Sequence, residues 1–227
     1  NFLDMSNPKV KAIAEASLRR LPAYYRVLQS WQAAGAQFVS CSIIANELNL
    51  DPTQVRKDIE STGVIGKPKV GYRLADLMRG IEDFLGWTNT KDAVLAGAGS
   101  LGSALLGYEK FRFYGLHIVA AFDTEPAKIG TRIHGVDVLP MDKLVELAQQ
   151  MHIHLGVITV PALAAQTVAD RMVEGGILAI WNFAPIRLRV PEGVILQNED
   201  LYPSLASLSF KLAKSMGQKP PDTAQLP

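Results

Sequence analysis

"AVLAGAGSLGSALL", residues 93–106, is the stretch that decides the fold. A short apolar run, Ala93 to Ala96, leads into Gly97-Ala98-Gly99-Ser100-Leu101-Gly102, and a second apolar stretch follows. The string G-x-G-x-x-G is weak alone. Between a strand and a helix it becomes the phosphate-binding start of a dinucleotide fold. Gly97 allows the tight turn, Gly99 lets the backbone approach a pyrophosphate, and Gly102 lets helix pack closely on strand. The pyrophosphate then meets free N–H groups at the positive end of the helix.

Working outward, the next apolar run, "HIVAAFD", ends in Asp123, 21 residues after Gly102. An acid at about that offset accepts the adenosine ribose hydroxyls and repels a 2′-phosphate, which favours NAD(H) over NADP(H). Lys128 lies past Pro126 and is expected to cap the turn or sit in solvent. Further β-branched runs are expected as strands at Val136–Leu139, Leu155–Val160, Ile177–Trp181 and Val194–Leu196, after Ala93–Ala96 and His117–Phe122. Helices are expected between them at Leu101–Lys110, Met141–Met151 and Pro161–Glu174. Such alternation indicates a parallel sheet covered on both faces, a Rossmann-type α/β domain. A last apolar stripe, Leu205, Leu208, Leu212 and Met216, marks a helix over Pro203–Met216 that packs on its own domain or on a partner chain.

An enzyme of this class needs a proton carrier beside the reacting ring. His117, His152 and His154 precede or start strands, whereas ligands bind at the carboxyl ends of strands, and His134 lies in a loop. Tyr108 and Arg112 form a Tyr-x-x-x-Arg, and no Cys/His cluster offers a metal site. The later strand ends carry Thr159-Val160-Pro161 and Trp181-Asn182-Phe183-Ala184-Pro185, which suit hydrogen bonds and ring contact without supplying an acid or base. The site is expected to receive a cofactor without turning it over. An NAD-dependent oxidoreductase, or a CoA- or nucleotide-binding module with a helical accessory domain, are the alternatives.

Upstream of residue 87 the pattern is helical. Apolar residues recur at helical spacing over Val10–Leu21 and Ala23–Ala34, with Pro22 expected as a start or break. "SCSIIANELNLDPTQVRKDIE", residues 40–60, reads as two short helices around a Leu50-Asp51-Pro52 turn, a helix-turn-helix. Asp51 is the expected N-cap, Pro52 the first helical position and Gln54 the third, a capping box. The second helix would present Thr53, Gln54, Arg56 and Lys57, residue types that read bases and phosphates in a major groove. "GKPKVGY", residues 66–72, brings Lys67 and Lys69 on a glycine-bounded turn, as a wing would. From Arg56 to Arg73 five bases face two acids, a modest DNA-facing patch.

The 227-residue chain has a formal net charge of +1, so whole-chain electrostatics favour no partner. Its one cysteine, Cys41, is expected as a small buried residue and fits a reducing cytoplasm. No apolar run approaches the ~20 residues of a membrane helix, and no signal peptide is visible. The first residue is Asn1, so the chain is read as processed or as a segment. The expected organisation is residues 1–86 as a winged-helix DNA-binding domain and 87–202 as the Rossmann domain. Residues 203–216 follow as a C-terminal dimerisation helix, and 217–227 as a disordered tail.

From "RLPAYYRVL" to "LSFKL" the chain resembles the Rex family of redox-sensing transcriptional repressors. The strings that carry the resemblance are "TQVRKDI", "GKPKVGY", "GAGSLGSAL", "AAFDTEPAKIG", "ITVPALAAQTVAD", "NFAPIRLRVP" and "NEDL", in this order. The resemblance implies a homodimer with a swapped C-terminal helix that binds a palindromic double-stranded operator and is released by NADH, with NAD+ competing weakly. It places the pyrophosphate on Gly97, Gly99, Ser100, Leu101 and Gly102, and the ribose on Asp123. The nicotinamide side falls to Thr159, Pro161, Asn182 and Phe183, with Tyr108 coupled to ligand state. DNA contacts fall on Thr53, Gln54, Arg56, Lys57, Lys67, Lys69 and Tyr72, and Arg26 and Asp200 match a pair that joins the domains. One departure stands out. Family members commonly read "RKDLSYFG" where this chain reads "RKDIESTG", so Glu60, Ser61 and Thr62 replace a serine and an aromatic pair. An acid near phosphate weakens binding, and the operator's affinity or sequence is expected to differ.

Overall fold

A computed structural model of the chain describes residues 15–89, 91–200 and 202–216. The chain divides into two compact units, Asn1–Asn89 and Thr90–Pro227. The expected N-terminal part of the Val10–Leu21 helix and the expected disordered tail lie outside the described residues.

The first unit begins with α1 (Glu15–Ala33), a single helix that runs through Pro22. The expected break does not occur. Leu21, Tyr24, Tyr25 and Leu28 recur at helical spacing and are all buried. An interior proline costs about 3 kcal/mol. Burying four large side chains returns about 1.5–3 kcal/mol each, so packing outweighs the lost hydrogen bond. Strand β1 (Phe38–Val39) follows, then α2 (Cys41–Leu48), capped by Ser40, and α3 (Pro52–Ser61). Asp51 caps α3 by accepting from the N–H groups of Thr53 at 2.7 Å and Gln54 at 3.2 Å. The reciprocal half of the expected capping box is absent, because Gln54 turns away to Asp58. Strand β2 (Tyr72–Arg73) pairs antiparallel with β1 and leads into α4 (Leu74–Leu85). This small ribbon was not read from the sequence, since strands of two residues carry no periodicity. Ile44, Val55, Ile59, Leu77 and Ile81 close the core against α1.

The second unit is built from β3 (Lys91–Ala96), α5 (Ser100–Leu106), α6 (Lys110–Phe113), β4 (Leu116–Asp123), β5 (Arg132–Ile133), β6 (Val136–Pro140), α7 (Leu144–Gln150), β7 (Leu155–Ile158), α8 (Ala162–Glu174), β8 (Ala179–Asn182), β9 (Ile195–Asn198) and α9 (Tyr202–Ser215). The seven strands run in the order β5-β6-β4-β3-β7-β8-β9, parallel throughout except for β5 against β6. Without the short β5 this is the strand order of a doubly wound dinucleotide fold, with its switch point between β3 and β7. The pleat divides the core: Val94, Ala96 and Phe122 face α7 and α8, while Ala93, Leu95 and Ala121 face the α5–α6 side. Where one helix was expected over Leu101–Lys110, α5 stops at Leu106 and α6 starts again at Lys110. Among the described residues helix α9 buries no side chain, and Leu205, Leu208, Leu212 and Met216 of its apolar stripe are each more than half exposed. Among the described residues no helix is long and apolar enough to cross a membrane.

Candidate functional site

A cavity of about 780 Å³ opens at the carboxyl ends of β3, β4 and β7, at the switch point. Its walls bring together Gly97, Gly99, Asp123, Thr159, Pro161 and Phe183 from the expected cofactor set.

The glycines divide the work. Gly97 has φ +101°, where only glycine is unstrained, and a Cβ there would come within 2.9 Å of the Thr159 carbonyl carbon. A Cβ on Gly102 would stand 2.0 Å from the Gly97 carbonyl oxygen. At Gly99 a Cβ would meet nothing within 4 Å, so the loop is open on the side where a ligand backbone would pass. The Thr159 hydroxyl donates to the carbonyls of Gly97 at 2.7 Å and Ala96 at 3.1 Å. Its proton therefore pins the glycine turn, and toward the cavity it offers only a lone pair.

Asp123 is not an empty acceptor. Its Oδ1 accepts from the N–H groups of Thr124 at 2.8 Å and Glu125 at 2.9 Å. Its Oδ2 accepts from Ala98 N–H at 2.9 Å and the Lys128 ammonium at 3.3 Å. Four donors fill the four lone-pair positions of a carboxylate. Burial works to raise the Asp123 pKa, but the Glu125 N–H and the Lys128 ammonium outweigh it and hold the carboxyl below its ordinary range. Lys128, expected to cap or sit in solvent, bridges Asp123 and Glu125, the latter at 2.6 Å. Arg171, which the sequence reading missed, also lines the cavity. Ala164, Thr167, Val168 and Arg171 recur at three-to-four spacing on α8, a signal legible once α8 is placed against the glycine loop.

Besides Gly102, four expected residues stand outside the cavity walls. Asn182 is fully buried and does not reach the cavity. Its amide donates to the carbonyls of Ala184 and Ile186 and to Asn198 Oδ1, and it accepts from Ala184 N–H, so it shapes the turn carrying Phe183. Tyr108 is half exposed and lies outside the cavity walls. A chain of edge-on or tilted rings, Tyr108–Phe111–Trp181–Phe183, joins it to the cavity with centroid spacings of 4.8, 5.7 and 4.8 Å. Leu101 lines a neighbouring hollow with Phe183, Asp200 and Leu205. Ser100 is the exposed first residue of α5.

In the first unit, Thr53, Arg56, Lys57 and Glu60 are exposed along one face of α3. A groove of about 640 Å³ beside them is lined by Arg56, Glu60, Lys67 and Lys69, with Ser40 and Ser42. Lys67 and Gly71 close a tight turn with mutual backbone hydrogen bonds. Tyr72 is 9 % exposed: its ring packs in the unit's core and also lines this groove. Gln54 is half buried, with its amide on Asp58.

Asp58 itself was not singled out in the sequence. It is 1 % exposed and binds Arg20 of α1 through two contacts, at 2.7 and 3.0 Å. It also accepts from the Tyr24 hydroxyl at 2.6 Å and from Gln54 at 2.9 Å. Burial pushes the carboxyl up, but the Arg20 guanidinium and the Tyr24 hydroxyl outweigh it and bring the pKa to about 2. The signal was its position: 55, 58 and 59 lie on the buried face of α3, and an acid there needs partners. Arg26 is exposed on α1 of the first unit. Asp200, in the second, is exposed and accepts from Tyr202 N–H at 2.8 Å. Among the described residues no group of His, Cys, Asp and Glu forms a metal-ligand cluster.

Known proteins resemble the chain as follows. The profile of the "CoA binding domain" family matches residues 88–186, and "Putative DNA-binding protein N-terminus" matches residues 12–60. A redox-sensing transcriptional repressor Rex from Treponema denticola is 46% identical over 90% of this chain and 97% of its own length. Another from Bacteroides fragilis is 42% identical over 88% of this chain and 91% of its own. Among solved structures, RSP, a Rex-family repressor, in complex with beta-NAD+ and operator DNA superposes with a TM-score of 0.85 at 32% identity, covering 91% of this chain and 95% of that one. RSP with beta-NADH gives 0.82 at 31% identity, over 91% and 97%.

Proposed function

The chain belongs to the Rex family of redox-sensing transcriptional repressors, and we propose on that premise that it binds operator DNA and leaves it when NADH binds. The observation that carries the reading is one chain holding both a switch-point cavity with an open glycine cradle and a separate unit exposing a basic helix face. NAD(H) fits the cavity by the residues present. The Gly97–Gly102 loop holds the pyrophosphate, and Asp123 takes the ribose as Lys128, the longest of its four partners, moves aside. Thr159, Pro161 and Phe183 flank the ring end. Asn182 acts by holding the Phe183 turn, and Tyr108 through the ring chain that ends there. Bound NADH supplies a redox signal: its ring is neutral where that of NAD+ is charged. Val160, Pro161, Ala164, Val168 and Phe183 make an apolar wall, which favours the neutral ring.

The relatives that the chain matches are named as transcriptional repressors, which supports binding without turnover. In the first unit Thr53, Arg56 and Lys57 enter the major groove, and Lys67 and Lys69 meet phosphates from the wing. The chain works as a homodimer in the cytoplasm, with α9 as the dimerisation helix.

A gel shift with a Rex-type palindrome tests the reading. A shift without NADH that NADH reverses is expected; no shift, or no reversal, overturns it. The coupling is reciprocal, so DNA lowers NADH affinity by the factor by which NADH lowers DNA affinity. The match of residues 88–186 to a CoA-binding family favours one alternative ligand, and CoA competing with NADH in the same assay supports it.

A further inference from the structure

Glu60 is the one acidic side chain on the exposed face of α3. At 100° per residue, Thr53, Arg56, Lys57 and Glu60 share an arc of about 100°. Thr53 and Glu60 lie nearly in line, about 10 Å apart along the axis, with Arg56 and Lys57 on either side. Glu60 lines the groove that Arg56, Lys67 and Lys69 also line, yet it forms no ion pair with any of them among the described residues. Its place is unfavourable twice over. It sits in the last turn of α3, where the helix dipole disfavours negative charge. On a DNA-facing surface it also approaches phosphates. Arg56 and Lys57 flank the carboxylate and soften both terms, but among the described residues no side chain pairs with it, and an acid left without a bonded partner in such a place points to its ligand.

The major-groove group that suits a carboxylate is the cytosine N4 amino donor. The acceptors on guanine and thymine repel it. We propose that Glu60 is a base-reading residue of α3 that accepts a hydrogen bond from cytosine N4 in each operator half-site. The inference rests on the DNA-binding reading and deepens it. Arg56 and Lys57 flank the carboxylate and reduce its repulsion from the backbone while it reads the base.

The test is selection of preferred duplexes from a random pool by the full-length chain, by Glu60→Gln and by Glu60→Ala, followed by affinities on the selected site and its single-base variants. The unaltered chain is expected to prefer cytosine at one position of each half-site by roughly tenfold to a hundredfold. Glu60→Ala should flatten that one position and leave the others alone. Glu60→Gln should move the preference toward adenine, which an amide reads in pairs. NADH affinity should not change in either variant. If Glu60→Ala tightens every duplex alike, the carboxylate only repels and the proposal is overturned. A cytosine preference that survives in Glu60→Ala overturns it too. If the unaltered chain selects no duplex at all, the DNA-binding reading itself has failed.

Discussion

The Ala98 backbone N–H donates to Asp123 Oδ2 at 2.9 Å, a bond that spans 25 residues of sequence. The acid at the end of β4 thus holds the glycine loop at the end of β3 in place, besides facing the cavity. The proposed ribose acceptor is then also the side chain that sets the loop geometry. Asp123→Ala leaves the Ala98 N–H and the Lys128 ammonium without this partner. We expect NADH affinity to fall by roughly fivefold to a hundredfold, or about 1–3 kcal/mol, with a smaller fall in Tm. Operator binding in the absence of NADH should persist. Calorimetric titration with NADH and a gel shift measure both, and unchanged NADH affinity would refute the role of Asp123.

The glycine loop offers a paired comparison. Gly102→Ala places a methyl group 2.0 Å from the Gly97 carbonyl oxygen, so it should lower both Tm and NADH affinity. Gly99→Ala meets no protein atom, and Gly99 has a φ of −78° that alanine adopts freely. Its Tm should match that of the unaltered chain. Its NADH affinity should nevertheless drop by roughly tenfold or more, because the methyl group would fill the space proposed for the pyrophosphate. Normal NADH binding by Gly99→Ala would show that the ligand does not cross the loop there.

The Asp58–Arg20 pair gives the first unit an acid-sensitive joint. The folded carboxyl has a pKa of about 2 against an ordinary 3.8. A depressed carboxylate contributes stability that is complete above the unfolded value and is lost as pH falls through the folded one. The joint should therefore hold near neutrality and lose about 2 kcal/mol between pH 4 and pH 2. Asp58→Asn removes that dependence and leaves Arg20 without a charged partner, at a cost of about 2–3 kcal/mol near neutrality. Because Arg20 and Tyr24 fix α3 on α1, operator affinity should fall while NADH affinity stays. Chemical denaturation at a series of pH values, for both proteins, checks the window; an equal acid response in the two would rule the joint out.

Much of this was legible in the sequence, and the rest was not for physical reasons. Continuous apolar runs around "GAGSLG" mark a doubly covered sheet, because a strand buried on both faces must be apolar throughout. Asp51-Pro52 marks the start of α3 because both residues act locally. Pro22 misled, since four buried side chains outweigh a helix breaker and burial is a property of the whole unit. Tyr72 follows two lysines in the sequence, and that spacing could not show that its ring would be mostly buried while still lining the groove. Asp123, Thr159 and Asn182 were rightly marked as polar groups at strand ends. Their partners are backbone groups brought near by folding, so their satisfied hydrogen bonds could not be read from spacing.

Helix α9 supplies the last prediction. Leu205, Leu208 and Leu212 are 59%, 63% and 56% exposed on a 14-residue helix with no buried side chain among the described residues. A helix of about that length is marginal in water unless an apolar face packs on something. As the proposed dimerisation helix, α9 finds that surface on a second copy, beside a hollow that Leu101, Phe183 and Leu205 already line. The unaltered chain is expected to run as a dimer in light scattering. Leu208→Glu places a charge in the middle of the stripe and should shift it toward monomer at micromolar concentration. Operator affinity should fall steeply with it, because a monomer engages only one half-site of a palindrome. A Leu208→Glu protein that remains a dimer would place the subunit contact on another face.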